Sequence, residues 1–302
     1  MSAKMKLTKA DIGFYIITYI FLTFCLLIVL FPLIFIVSAS ISDPNAVASG
    51  QVILLPKGIT FEGYQRVFRN NDIFIGYRNT IFYTVAGTVI NLIVTFGAAY
   101  PLSRADFIGK KFFTLMFTFT MFFGGGLIPT YLLIKNLHLL NTVALMLIMG
   151  AASMWNIVLV RTFITSSIPQ ELQEAAEIDG ASDLKIFFRV VLPLCGPIIA
   201  VMALFYGVGH WNEYFNAMIY MSDRDLFPLQ LFLREILIQN QIAASSFTNA
   251  ATGNLESMAE QARIAEIIKY SVMIVATIPV LIAYPFVQKF FIKGMMVGAI
   301  KG

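Results

Sequence analysis

The sequence predicts an all-α integral membrane protein with six transmembrane helices and both termini in the cytoplasm, built as one domain over residues 1–302. Three observations carry this. Of the 302 residues 58% are hydrophobic and 13% charged, about half the charged share of a soluble chain, so folding in water would leave apolar surface uncovered. Six apolar runs reach or approach the roughly 20 residues a helix needs to cross hydrocarbon. They cover residues 12–38, 80–103, 112–134, 139–160, 190–219 and 270–287. Between the fourth and fifth lies a charged, strongly patterned segment at about 161–189 that cannot itself cross.

The first run follows Lys4, Lys6 and Lys9. Its apolar stretch is far longer than the roughly 7 to 15 residues of a secretory signal, and no small-residue cleavage site follows directly, so it reads as an uncleaved helix. With the N-terminus inside, 12 of the 21 Lys and Arg residues fall in the short cytoplasmic segments 1–11, 104–111, 161–189 and 288–302. The net charge of +4 thus reflects topology, and no basic run supports nucleic-acid binding. Cys25 and Cys195 lie in or beside predicted spans and read as buried thiols.

Two outer loops are long, about 39–79 and 220–269. In the first, "ILLPKGITFEGYQRVF" spaces Phe61, Tyr64, Val67 and Phe68 as one face of an amphipathic helix at the outer surface. Asn91, in the middle of the second span, is either part of a substrate path or a helix–helix hydrogen bond. The third span contains "FGGGLIPTYL", where Gly124, Gly125, Gly126 and Pro129 weaken regular helix. Irregular backbone in a membrane needs protein or a watery cavity around it, so this stretch is either close helix packing or part of a path that includes Tyr131.

In the segment 161–189, Ser167 stands three residues before Gln170 in a capping-box arrangement, with Pro169 in the first turn. Leu172, Ala175 and Ala176 mark one face of the helix that follows, and Glu171, Glu174 and Glu177 form an acidic stripe beside it. Asp179 and Gly180 close it, and Gly180 lets the chain turn. A second short helix carries Leu184, Phe187, Phe188 and Val191 along one side. Hydrophobic spacing together with an acidic stripe fits a docking element for a soluble partner with a basic-rimmed groove.

The fifth span ends in "HWNEY", His210, Trp211, Asn212, Glu213 and Tyr214. At about 1.5 Å per residue these lie roughly 30 to 36 Å from Val190 if the helix is continuous. They suit stacking and hydrogen bonding to a sugar, or alternatively an interfacial aromatic belt. The second outer loop contains "AASSFTNAATGNLESMAEQA", whose small and polar residues predict a mobile loop at about 240–262.

Several function classes are poorly provided for. The phosphate-cradling pattern G-x-x-x-x-G-K-[ST] is absent, so ATP hydrolysis is not expected of this chain. Two histidines and no H-E-x-x-H motif leave little for a membrane enzyme or a metal site. A proton-coupled secondary transporter is the main alternative, but ionisable residues occur in the spans only as His210 and Glu213 near the end of the fifth.

"EAAEIDGASDLKIFFRVVLP" resembles the EAA loop of permease subunits in ATP-binding-cassette importers, through Glu174, Ala175, Ala176, Gly180, Val190, Leu192 and Pro193. "LLPKGITFEGYQRVF", "WNEYFNAMIY" and the closing "KGMMVGAIKG" are similar to the carbohydrate-uptake, maltose-type branch of that family. "FGGGLIPTYLLI" is similar to a subgroup associated with complex oligosaccharides, including uronate-containing ones. The resemblance implies the fold of a type I importer permease. It also implies a second permease subunit, two ATPase subunits that bind ATP and Mg, an extracytoplasmic solute-binding protein and an oligosaccharide substrate, with no cofactor on this chain. It assigns Glu174 to the ATPase groove, Ala175 and Ala176 to close packing within it, and Gly180 to the turn, with Glu171 and Asp179 beside them in the coupling segment. The 240–262 loop would match one that enters the binding protein's cleft. The tail "FIKGMMVGAIKG" is either at the ATPase interface or a frayed end. The bacterial cytoplasmic membrane is the implied location.

Overall fold

A computed structural model describes residues 8–248, 265, 267–285 and 288. Every regular element among them is helical. The tail from 291 and the loop portion from 249 to 262 lie outside the described residues.

The helices are α1 (Lys9–Ser40), α2 (Pro44–Ala48), α3 (Glu62–Arg69), α4 (Asp72–Ser103), α5 (Lys110–Phe122), α6 (Leu127–Asn136), α7 (Val143–Ile148) and α8 (Met154–Ser167). After these come α9 (Gln170–Ile178), α10 (Asp183–Ile186), a π-helical stretch Phe187–Val191, α11 (Leu192–Leu194), α12 (Gly196–Trp211), α13 (Phe215–Tyr220) and α14 (Leu229–Thr248). The last, α15, is Ile267–Pro285. Among the described residues three helices are long and apolar enough to cross a bilayer, α1 from Asp11, α4 and α15. Two bent pairs raise this to five if each is one span: α5 with α6, at 117°, and Asp183–Leu194 with α12, at 81°. The run at 139–160 is divided between α7 and α8 by Met149–Ser153.

The chain divides into two compact units, Met1–Asn70 with Glu235–Thr277, and Asn71–Arg234 with Ile278–Gly302. In the first, α1 opens with a reciprocal cap: Asp11 N–H donates to Thr8 Oγ1, and Thr8 N–H donates to Asp11 Oδ2. The segment 41–69 is anchored to the end of α1. Ser38 Oγ donates to the Leu54 carbonyl at 2.6 Å, and Tyr64 OH donates to Ser40 Oγ at 2.8 Å. Ala39, Val47, Val52, Ile267 and Tyr270 form the apolar centre. The buried side of α3 is Gly63 and Val67; of the expected apolar face Phe61, Tyr64, Val67 and Phe68, only Val67 is buried, and Phe61 and Phe68 are exposed. Gly63 explains the shift: it seats on Ile267 and Ser271 with no room for a Cβ, so the helix meets α15 through its smallest residue.

The second unit is organised by α4. Its buried positions Gly76, Asn79, Thr80, Tyr83, Gly87, Asn91, Thr95, Ala99 and Leu102 recur every three or four residues, one face of a helix. The polar ones compensate irregular backbone elsewhere, which hydrocarbon cannot do. Asn79 Nδ2 donates to the carbonyls of Asp225 (2.7 Å) and Phe227 (3.0 Å), Tyr83 OH donates to that of Leu226, and Thr80 Oγ1 accepts Leu229 N–H. Farther along, Phe96, Ala99 and Leu102 join Ile157, Val160, Ile164, Ile186, Val191 and Met202 in the main apolar core.

Four expectations change. Ser167 does not cap α9; it ends α8, whose bonding continues through Ile168 N–H to the Ile164 carbonyl, so Pro169 is the N-cap and no side chain caps the helix. The second short helix does not keep one apolar side: Ile186, Phe187 and Val191 are buried, whereas Leu184 and Phe188 are exposed. The π-register of Phe187–Val191 adds a residue to the turn and rotates the faces apart. The fifth apolar run is not one continuous helix from Val190, because it bends at Cys195 between Pro193 and Pro197. Finally, helix α14 runs to Thr248, so residues 240–248 are helical rather than loop.

Candidate functional site

Two constellations lie on opposite stretches of α4. The first is the acidic helix α9 with its surroundings. Its C-terminus is a Schellman turn: Ala181 N–H donates to the Ala176 carbonyl (3.0 Å) and Gly180 N–H to the Glu177 carbonyl (2.9 Å). Gly180 sits at φ +72°, a conformation that costs a side-chain-bearing residue roughly 1 kcal/mol or more. Glu171, Glu174, Ala175 and Asp179 are exposed and Ala176 is half-buried. Leu172 and Ile178 are exposed too, which gives α9 an apolar component open to a partner. Glu174 accepts a hydrogen bond from Gln170 Nε2 at 2.9 Å, a contact within the helix that leaves it at the surface.

Glu177 departs from the three-residue acidic stripe. It accepts from Arg104 Nη2 at 2.5 Å. Arg104, directly after α4, also donates through Nε and Nη2 to both oxygens of Asp106 (2.9 and 2.8 Å) and through Nη1 to Gln173 Oε1 (3.3 Å). These bonds hold the Asp106 carboxyl below the usual carboxylate range, and Asp106 in turn raises the guanidinium. A cavity of about 260 Å³ opens beside them, lined in part by Ser103, Thr165, Gln170 and Glu174. Arg104 and Gln173 escaped the sequence reading. The available signal was a lone Arg just past a span with Asp two residues on.

The second constellation faces α12. Asn91, 1% exposed, donates through Nδ2 to the carbonyls of Gly150 (3.0 Å) and Ala151 (3.2 Å), in the break between α7 and α8. That fixes its amide orientation, so Oδ1 accepts, and His210 Nε2, 2.7 Å away, is the donor. Gly87 makes the approach possible, since a Cβ there would overlap the His210 ring. Glu213 accepts from the backbone N–H and Nδ2 of Asn216, both at 2.9 Å. Thr95 and Tyr206 share a buried hydroxyl contact of 2.6 Å. Asn91, His210, Glu213, Asn216 and Tyr206 line a cavity of about 380 Å³.

Of the other sugar-facing candidates, Trp211 is buried and its ring is 6.3 Å from that of Tyr77. Asn212 donates to the Val208 carbonyl of its own helix, Tyr214 lies under the Arg234 guanidinium at 5.0 Å, and Tyr131 stacks on Tyr220. None of these four lines the cavity. Asn216, Tyr206 and Gly87 were missed, because their meaning depends on which residues the fold brings against them: Glu213, Thr95 and the His210 ring. The glycine run is open in this chain: a Cβ at Gly124 or Gly126 would meet nothing, and one at Gly125 only Pro129.

No family model matches the chain. Curated relatives do, over nearly all of it. Protein LplC of Bacillus subtilis (strain 168) is 37% identical over 298 residues, 99% of this chain and 98% of that protein. The polygalacturonan/rhamnogalacturonan transport system permease protein YtcP of the same organism is 37% identical over 289 residues, 96% and 98%. This chain belongs to the permease subunits of ATP-binding-cassette oligosaccharide importers. A solved structure agrees: a bacterial ABC transporter involved in the import of the acidic polysaccharide alginate contains a chain 35% identical, with TM-score 0.81, covering 95% of this chain and 99% of that one. The permease is accordingly a non-catalytic membrane subunit, ATP hydrolysis belongs to separate ATPase partners, and a proton-coupled mechanism finds no support among the relatives.

Proposed function

We propose that this permease crosses the bacterial cytoplasmic membrane six times as a single domain with both termini inside. On this reading it pairs with a second, different permease on two ATPase subunits that carry ATP and Mg. It receives a uronate-containing oligosaccharide from an extracytoplasmic solute-binding protein. The observation that carries the substrate class is end-to-end similarity to two transport proteins whose cargo, polygalacturonan in one and alginate in the other, is acidic. The sixth crossing is α7 and α8 taken together, with Asn91 satisfying the carbonyls at their break.

The coupling role falls to α9. Glu171 and Glu174 are exposed carboxylates for a basic groove rim, and Ala175 and Ala176 allow close approach. Asp179 and Gly180 form the rigid end through which a push on α9 reaches α10 and, past the bend, α12. When ATP draws the two ATPases together, displacement of α9 changes how α4 and α12 meet around the cavity. There Asn91, His210 and Glu213 supply amide, imidazole and carboxylate groups suited to sugar hydroxyls. The cavity volume is within the roughly 300–1,000 Å³ of small-ligand sites. Thr84 and Thr88 hydroxyls on the same α4 stretch have no protein hydrogen-bond partner, which leaves them open to water or a sugar hydroxyl.

The test is reconstitution of the full complex in vesicles with its binding protein, measuring ATP hydrolysis and uptake with oligogalacturonate against a neutral oligosaccharide of equal length. Stimulation by oligogalacturonate is expected. Stimulation by the neutral sugar alone would overturn the substrate class.

A further inference from the structure

Helix α9 is joined by the chain to α8 at Ile168–Pro169 and to α10 at Gly180. Its third attachment is not covalent. Arg104 follows the last turn of α4, and its own carbonyl accepts Lys110 Nζ at 2.8 Å, which ties the start of α5 to the same point. Its guanidinium reaches Asp106 in two bonds, Gln173 and Glu177 on α9, and, at 3.8 Å, Asp183 at the start of α10. The Arg104 side chain is 13% exposed, whereas those of Glu177 and Asp183 are 42% and 77% exposed. One half-buried fork thus gathers carboxylates from both sides of the Gly180 turn onto the end of the helix whose opposite stretch carries Gly87 and Asn91.

An exposed ion pair contributes little to stability, about 0 to 1 kcal/mol, but a forked guanidinium with several partners is directional as well as attractive. The apolar core around Ile164, Ile186 and Val191 already fixes the neighbouring helices. What the guanidinium adds is a link between α9 and α4. We infer that Arg104 is a positioning residue that transmits displacement of α9 to α4, and so to the cavity at Asn91 and His210. This inference rests on the reading of α9 as the coupling helix.

The test uses the complete transporter in vesicles with the solute-binding protein and oligogalacturonate. Glu177→Gln keeps the side chain's shape at an exposed position and removes its charge, so it folds even if Arg104→Ala does not. Both variants should assemble with the ATPases at wild-type stoichiometry and retain basal hydrolysis. Stimulation by loaded binding protein should fall about tenfold, and sugar carried per ATP should fall with it, the scale of coupling within one interacting network. Arg104→Ala combined with Glu177→Gln should lose no more stimulation than Arg104→Ala alone, because both changes cut one link, whereas two independent contributions to stability would add. Wild-type stimulation in Glu177→Gln, or additive losses in the double variant, would overturn the inference. Glu174→Ala separates the two readings: normal ATPase docking and stimulation in that variant would remove the coupling role of α9 itself, whereas a Glu174 defect beside a silent Glu177→Gln would remove only Arg104.

Discussion

Gly87→Ala measures how closely α4 and α12 are fitted. On an isolated helix the change stabilises by about 1 kcal/mol, because alanine is the better helix former. Here the added methyl would overlap three atoms of the His210 ring, Nε2, Cε1 and Cδ2. Overpacking of that kind costs about 1 to 3 kcal/mol, and displacing the ring forfeits its 2.7 Å bond to Asn91, about 1 kcal/mol more. The balance is a destabilisation of about 1 to 3 kcal/mol. Gly97, on the same helix with nothing within 4 Å of its Cβ position, is the control, and its change to alanine should be neutral or stabilising. Thermal unfolding of the purified complex reads both. In a His210→Ala background the Gly87→Ala penalty should vanish, leaving the helix-former gain. A melting temperature that rises with Gly87→Ala in the wild-type background would refute the packing argument.

Gly180→Ala places a side chain at φ +72° and should cost about 1 kcal/mol locally, seen as weaker sugar-stimulated ATP hydrolysis with assembly retained. Asn91→Ala leaves two carbonyls and the His210 donor without their partner in a buried site. A loss of about 2 to 4 kcal/mol is expected, larger than for an exposed asparagine such as Asn212→Ala, and thermal unfolding checks it. The Asp106 carboxyl is held below its ordinary value by Arg104, so its contribution is complete above the ordinary aspartate range and is lost only as pH falls through the lower folded value. Amide protection along α9, corrected for the intrinsic pH dependence of exchange, should therefore be constant from neutral pH to the ordinary aspartate range and fall below it; a loss of protection already at pH 6 would contradict the assignment.

The helix at Gln170–Ile178 and its turn at Gly180 were legible because their information is local. Glu174, Ala175, Ala176 and Gly180 lie within seven positions, and helix period and turn chemistry act over that distance. Apolar runs were legible for the same reason, but their breaks were only half visible. Pro193, Gly196 and Pro197 flank the bend at Cys195, yet hydropathy does not distinguish a bent span from a straight one. Arg104 and Glu177 stand 73 residues apart, and Asn91 answers backbone carbonyls, which carry no residue-type signature at all. Trp211 shows the opposite failure: an aromatic suited to a sugar face is equally suited to burial, and only the register of α12 against α4 decides.

The hold that Asn91 has on Gly150 and Ala151 bears on biogenesis. Neither α7, at six residues, nor α8, at fourteen, has the length to settle in a bilayer unaided, and the carbonyls between them would enter hydrocarbon bare. On the six-crossing reading, synthesis from the N-terminus delivers α4 with Asn91 ahead of α7 and α8, so the divided span meets a partner for its bare carbonyls that precedes it in the chain.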